Sequence, residues 1–147
     1  MKSQISYKTL LEESANIEQV SDIANKILSY LPENAVITLN GDLAAGKTTL
    51  VSSFVNSLQL GSATSPTFSL QQVYSDKVFH YDFYRLEYAE IANLGLIDEL
   101  EKDGLHFVEW APVELVELLN SAGFNLFTID IEKENSSRKY ILRALNA

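Results

Sequence analysis

Gly41-Asp42-Leu43-Ala44-Ala45-Gly46-Lys47-Thr48 satisfies the pattern G-x-x-x-x-G-K-[ST] without exception, and the chemistry of that pattern is the wrapping of a polyphosphate. Successive backbone N–H groups must close around the anion, and Gly41 and Gly46 let the chain approach without a Cβ clash. Lys47 brings a compact positive charge to the outer phosphates, and the Thr48 hydroxyl is suited to a Mg²⁺ ion bridging them. Thr49 follows at the start of the same turn. Further along, Val78-Phe79-His80-Tyr81-Asp82 and Leu105-His106-Phe107-Val108-Glu109 are apolar runs that each end on an acid. In a parallel α/β sheet the carboxyl ends of the strands meet the ligand crevice. Asp82 there would hold Mg²⁺ directly or through water, and Glu109 would share the ion's sphere or position an attacking water. Asp82 would equally serve as the N-cap of a helix over Phe83-Tyr84-Arg85-Leu86. Trp110, the only tryptophan, is either a shelf for a nucleotide base or an ordinary core aromatic. Thr64, Ser65 and Thr67 are either donors that fold over a γ-phosphate or residues of a plain hydroxyl-rich loop.

A phosphate loop works only between a buried strand and a helix whose N-terminal dipole favours anions. Residues 35–39, Ala-Val-Ile-Thr-Leu, form a run of strand length, and Leu50, Val51, Phe54, Val55 and Leu58 recur at helical spacing. Upstream, residues 5–11 suit a short strand. Asn16 and Gln19 form a capping-box pair, before a helix whose face carries Ile17, Val20, Ile23, Ala24, Ile27 and Leu31 and which ends at Pro32. Residues 67–74 alternate at strand period, Ser75-Asp76-Lys77 reads as a hairpin turn, and helical segments over 83–103 break near Gly95. Pro112 suits the first turn of a helix bearing Val113, Val116 and Leu119. Residues 124–132 and 138–144 read as a closing hairpin around a polar cluster at 133–137. The fold class is α/β: a single P-loop domain over residues 1–147, with a mostly parallel central sheet flanked by helices and a C-terminal antiparallel hairpin.

Composition narrows the partners. The 147 residues are 46% hydrophobic and carry a net charge of −9, enough chain for one core and the wrong sign for nonspecific binding to DNA or an anionic membrane. With no cysteine there is no disulfide, zinc-thiolate site or thiol nucleophile. The opening residues lack a signal peptide's apolar core, which predicts a cytoplasmic protein. Glu87, Glu90, Asp98, Glu99, Glu101 and Asp103 face only Arg85 and Lys102 over 83–103; this is a solvated face or a docking surface for a basic protein.

The loop, together with Ser65-Pro66-Thr67-Phe68-Ser69-Leu70, His80-Tyr81-Asp82-Phe83-Tyr84-Arg85-Leu86 and Phe107-Val108-Glu109-Trp110 in that order, resembles the bacterial TsaE family across nearly the whole chain. The resemblance implies a small Mg-ATP-hydrolysing protein. Such a protein is needed, with TsaB, TsaC and TsaD, for threonylcarbamoylation of the adenosine beside the anticodon of tRNA, without transferring the group itself. It implies Lys47 at the phosphates, Thr48, Asp82 and Glu109 around Mg²⁺, Trp110 at the adenine, and a Ser65-Pro66-Thr67 switch that makes Thr67 a catalytic candidate. It implies docking on a TsaB–TsaD pair, with tRNA met only indirectly. The chain departs from the family pattern with Ala44 where glycine is usual, Ala111 between Trp110 and Pro112, and Ser137 in place of the glycine before Arg138.

Three other functions compete. A small-molecule kinase gathers arginines around the transferred group, and this chain has only Arg85, Arg138 and Arg143. A GTPase calls for an N-K-x-D-like block after the loop; Asn25-Lys26 precedes it and lacks the acid. A nucleotide-dependent interaction module differs from an ATPase only in rate.

Overall fold

The computed structural model describes residues 5–42, 45–61 and 70–146. Seven strands, β1 (Tyr7–Ala15), β2 (Ala35–Asn40), β3 (Gln71–Tyr74), β4 (Val78–Asp82), β5 (Leu105–Glu109), β6 (Leu126–Glu134) and β7 (Ser137–Leu145), form one sheet in the order β1-β7-β6-β2-β5-β4-β3. The four central strands β6, β2, β5 and β4 run parallel, and hairpins attach β3 and β7 antiparallel at either side, with β1 added beyond β7. The α/β class, the parallel centre and the C-terminal hairpin all match the expectation.

Helices α1 (Val20–Tyr30) and α2 (Lys47–Ser57) cover one face of the sheet; α3 (Tyr88–Asn93), α4 (Leu96–Leu100) and α5 (Val113–Ser121) cover the other. Strand alternation sorts side chains between these two cores. Ile37, Leu39 and Phe107 pack with Leu50 and Phe54 under α1 and α2, while Val36, Val108, Phe79 and Tyr81 pack with Ile91, Leu96 and Leu115. The Phe54 and Phe107 rings stack at 4.6 Å, which fixes the helix that follows the phosphate loop onto the strand that delivers Glu109.

Local signals set most boundaries. The Asn16–Gln19 capping box forms with both hydrogen bonds at 3.1 Å, opening a 3₁₀ turn ahead of α1. That turn lifts Ile17 off the helix face, where it is 72% exposed. Ser75 and Asp76 take positive φ, 53° and 56°, in the three-residue β3–β4 turn at 75–77, where Lys77 N–H donates to Tyr74 O at 3.1 Å, a conformation that suits strand twist. The β6–β7 hairpin closes at 135–136, tighter than the five-residue cluster in the sequence suggested.

Two helical expectations are corrected. Residues 83–86 form a turn, closed by Leu86 N–H donating to Phe83 O at 2.9 Å, because Arg85 adopts φ +64°. Pro112 is the N-cap of α5 rather than a first-turn residue, so the buried face carries Leu115 and Leu119 while Val113 is exposed.

Candidate functional site

The site begins where β2 ends. Gly41 has φ +155°, and a Cβ there would lie 2.8 Å from Ile131 O, so only glycine turns the chain this close to β6. Gly46 has φ +103° with open space around it; backbone conformation rather than packing demands glycine there. It leads into α2, whose first residues are Lys47 and Thr48. Asp42 accepts from Ala45 N–H through its backbone carbonyl at 2.9 Å. Leu43 and Ala44 lie outside the described residues, as does the 62–69 segment with Thr64, Ser65 and Thr67.

Lys47 is only 3% exposed. Its ammonium donates to Gly41 O at 2.6 Å, lies 3.5 Å from Asp42 O, and sits 3.7 Å from the centroid of the Trp110 ring. Burial pulls its pKa below the ordinary lysine value, and the charges of Glu109, Asp82 and Asp42 oppose that shift without overcoming it.

The acids come from the neighbouring strands in register. Asp82 pairs with Glu109 across β4 and β5, and Glu109 pairs with Leu39 of β2, so both carboxylates stand at the same level beside the loop. Glu109 is 5% exposed, and its Oε2 receives the Thr48 hydroxyl at 3.0 Å and His80 Nε2–H at 2.5 Å. Burial raises the Glu109 pKa, yet the His80 and Thr48 hydrogen bonds and the charges of His80 and Lys47 outweigh it and hold the carboxyl below its ordinary range. Glu109 is therefore an ionised acceptor at neutral pH. Asp82 is exposed and accepts from Tyr84 N–H at 3.0 Å, an Asx turn in place of the helix cap.

Thr48, Asp82 and Glu109 offer oxygen donors alone, with Thr48 already bonded to Glu109. That donor set suits a small hard cation such as Mg²⁺, which keeps several waters and takes few protein ligands. Among the described residues no group of three or more His, Cys, Asp or Glu side chains is arranged to hold a metal by itself.

Trp110 follows Glu109 at φ +60°, a position that costs an aromatic residue on the order of 1–3 kcal/mol. Its ring meets Tyr84 at 5.0 Å with a 48° tilt, and the Arg85 guanidinium lies 5.1 Å from the Tyr84 ring centre. On the opposite side of the loop, toward β7, Ala45, Gly46, Thr49, Ile17, Arg138 and Tyr140 line a cavity of about 260 Å³.

Lys47, Thr48, Asp82, Glu109 and Trp110, all candidates from the sequence, lie together at the loop. His80 has no role in the sequence pattern, although a residue two before Asp82 on a strand must share its face. Arg138, doubtful from the sequence because Ser137 precedes it, braces the loop, its Nε donating to Ala45 O at 3.1 Å and its Nη1 to Ser137 O at 3.0 Å. Of the acidic run at 83–103, Glu99 turns inward to accept from Gln71 and Lys102, while Glu87, Glu90, Asp98, Glu101 and Asp103 remain exposed.

A glycine-turned loop between a central parallel strand and a helix, with a buried lysine, a helix-start threonine and two acids in register beside it, defines a P-loop nucleotide-binding domain. The chain belongs to the TsaE family: residues 14–141 match the family described as "Threonylcarbamoyl adenosine biosynthesis protein TsaE". It is similar to the tRNA threonylcarbamoyladenosine biosynthesis protein TsaE of Bacillus subtilis, 37% identical over 108 residues covering 71% of this chain and 68% of that one. The proteins of the same name from Rickettsia felis and Haemophilus influenzae are each 34% identical, covering 67% and 60% of this chain. The chain spans 60% of the length of each of these two. The crystal structure of Bacillus subtilis YdiB superposes with a TM-score of 0.66 at 25% identity, covering 97% of this chain and 88% of that one. Among the described residues no helix is long and apolar enough to cross a membrane.

Proposed function

We propose that this chain binds and hydrolyses Mg-ATP in the cytoplasm, and that the cycle sustains formation of threonylcarbamoyladenosine beside the anticodon of tRNA. It acts on a TsaB–TsaD complex and does not transfer the group. The observation that carries this reading is the Glu109 carboxylate held between Thr48 and His80, with Asp82 in register beside it, at the mouth of the phosphate loop. The family membership supplies the pathway.

Lys47 would take the outer phosphate oxygens, backed by the N–H groups at the start of α2. Thr48, Asp82 and Glu109 would hold Mg²⁺, which would supply charge neutralisation for the phosphates when bound. Glu109, already an acceptor, would orient the attacking water, and His80 fixes the carboxylate in place. The base and ribose would lie in the cavity beside Thr49, Arg138 and Tyr140. Thr67 is proposed as a switch residue on the family resemblance alone. The acidic surface of α3 and α4 suits a basic face on the protein partner, and tRNA is met through that partner.

A kinase is less well supported. Arg143 Nη1 is bound to Asp130 at 2.5 Å, and Arg138 is committed to the backbone, so that among the described residues Arg85, stacked on Tyr84, is the one arginine without a hydrogen bond or ion pair. Multiple-turnover threonylcarbamoylation of tRNA by TsaB, TsaC and TsaD, measured without this protein, with it and with Lys47→Ala, tests the proposal. Wild type alone should sustain repeated cycles. Three equal reactions, with ATP binding demonstrated separately, would remove the pathway role.

A further inference from the structure

Lys47, Trp110, Tyr84 and Arg85 form a continuous stack from the phosphate loop to the surface. The ammonium lies 3.7 Å from the indole centroid, Tyr84 packs against Trp110 at 5.0 Å, and Arg85 covers Tyr84 at 5.1 Å. Two of the four sit in the left-handed region, Trp110 at φ +60° and Arg85 at φ +64°. Such conformations persist only where surrounding contacts over-determine them. Trp110 is half-buried and Tyr84 and Arg85 are exposed.

We propose that Trp110 is a positioning residue for Lys47 at the phosphate end of the site, so that it reads occupancy by phosphate and not by the base, and that Tyr84 and Arg85 carry that reading to the surface. The proposal rests on the nucleotide reading above and revises the adenine contact that the family resemblance implies.

Three observations carry it. First, the indole face beneath Lys47 is taken: an ammonium at 3.7 Å fills the space in which an aromatic base would stack. Second, Lys47 is the residue that must meet the outer phosphates, and the base lies a ribose and the full phosphate chain away from them. Third, Trp110 follows β5, on one side of β2, whereas the cavity beside the loop is lined from β7 on the other side and does not include Trp110. Phosphate oxygens drawing the ammonium toward themselves must alter its contact with the ring. Tyr84 is tied to the same event because its N–H is held by Asp82, one of the two acids proposed to hold the cation.

Trp110 is the only tryptophan, so its emission reports this contact without interference from another indole. The experiment follows that emission in the full chain on addition of Mg-ATP, Mg-tripolyphosphate and adenosine, with ATP binding measured in parallel by calorimetry. It also compares wild type with Lys47→Met before any addition. Tripolyphosphate should reproduce most of the ATP-induced change, adenosine should produce almost none, and Lys47→Met should shift the emission of the protein alone. Adenosine reproducing the change, or bound ATP leaving emission untouched, overturns the proposal. Emission unaltered in a folded Lys47→Met overturns the Lys47–Trp110 contact. Calorimetry without ATP binding instead defeats the nucleotide reading itself, and the Lys47→Met comparison still decides the contact.

Discussion

His80 and Tyr81 are neighbours on β4, and each makes its key polar contact to β5, yet they serve opposite ends of the molecule's chemistry. His80 points to the loop side and bonds Glu109 at 2.5 Å. Tyr81 points into the other core, donates to His106 Nδ1 at 2.8 Å and accepts from Gln71 Nε2 at 3.3 Å. The second cluster is sealed: Tyr81 and Gln71 are fully buried, the His106 ring stacks on Phe79 at 4.2 Å, and its Nε2–H is donated to Lys102 O at 2.7 Å. Since a carbonyl can only accept, that bond fixes the tautomer and makes Nδ1 the acceptor for Tyr81. The first cluster is anchored but open, with Thr48 and Asp82 exposed. A strand pair can thus place a polar group for structure or for ligand chemistry by a one-residue step, and what separates the two is access.

Substitutions should separate the clusters by what they change. The largest effect is expected from Lys47→Ala, which removes the one lysine or arginine buried at the loop among the described residues; ATP affinity should fall by roughly 2–5 kcal/mol, read by calorimetry, while the unfolding midpoint moves little. Unchanged affinity would detach Lys47 from phosphate binding. Next comes Glu109→Ala, with ATP still bound and hydrolysis lowered by at least ~10²-fold, followed as phosphate release. Normal turnover in that variant would take Glu109 out of the mechanism. Neither change should touch the sealed cluster.

Which of these features a reader of the chain can see depends on how local the cause is. The loop, the Asn16–Gln19 box, the β3–β4 turn and the break at Gly95 are each written within a few residues, and each appears where expected. The acids Asp82 and Glu109 were legible because both end apolar strands, although only the sheet order puts those strands side by side. His80 on Glu109, Arg138 on the loop and Tyr81 on His106 join residues 25 or more apart, and no spacing rule announces them. The turn at 83–86 has a helical pattern in sequence because the positive φ of Arg85 has no marker in its residue type. Ile17 and Val113 fall on buried faces by periodicity, and a 3₁₀ turn and a proline cap shift the register and expose them.

On the sealed side the expected effects are on stability alone. Tyr81→Phe leaves His106 Nδ1 buried without its donor and Gln71 Nε2 without one acceptor, a loss of about 1–3 kcal/mol measurable by denaturant unfolding, with ATP affinity as in wild type. Altered ATP affinity would show that the two clusters are coupled rather than separate.

The smallest effect is a pH slope. Burial holds the His106 pKa below its ordinary 6.5, against the opposing pull of the Lys102 carbonyl and Glu99. Between 6.5 and that lower folded value the unfolded chain takes up a proton that the folded chain refuses, so falling pH favours unfolding across that window. Above the window both states are neutral at this position and the contribution is flat. His106→Gln keeps a polar side chain but has no proton to bind, so this part of the slope should vanish even though the variant is less stable throughout. Unfolding free energies of both proteins between about pH 8 and about pH 5, where histidine titrates, decide the matter. Parallel slopes would mean that His106 takes up its proton in the folded state, and the cluster would then be open to water in the way the Glu109 side is.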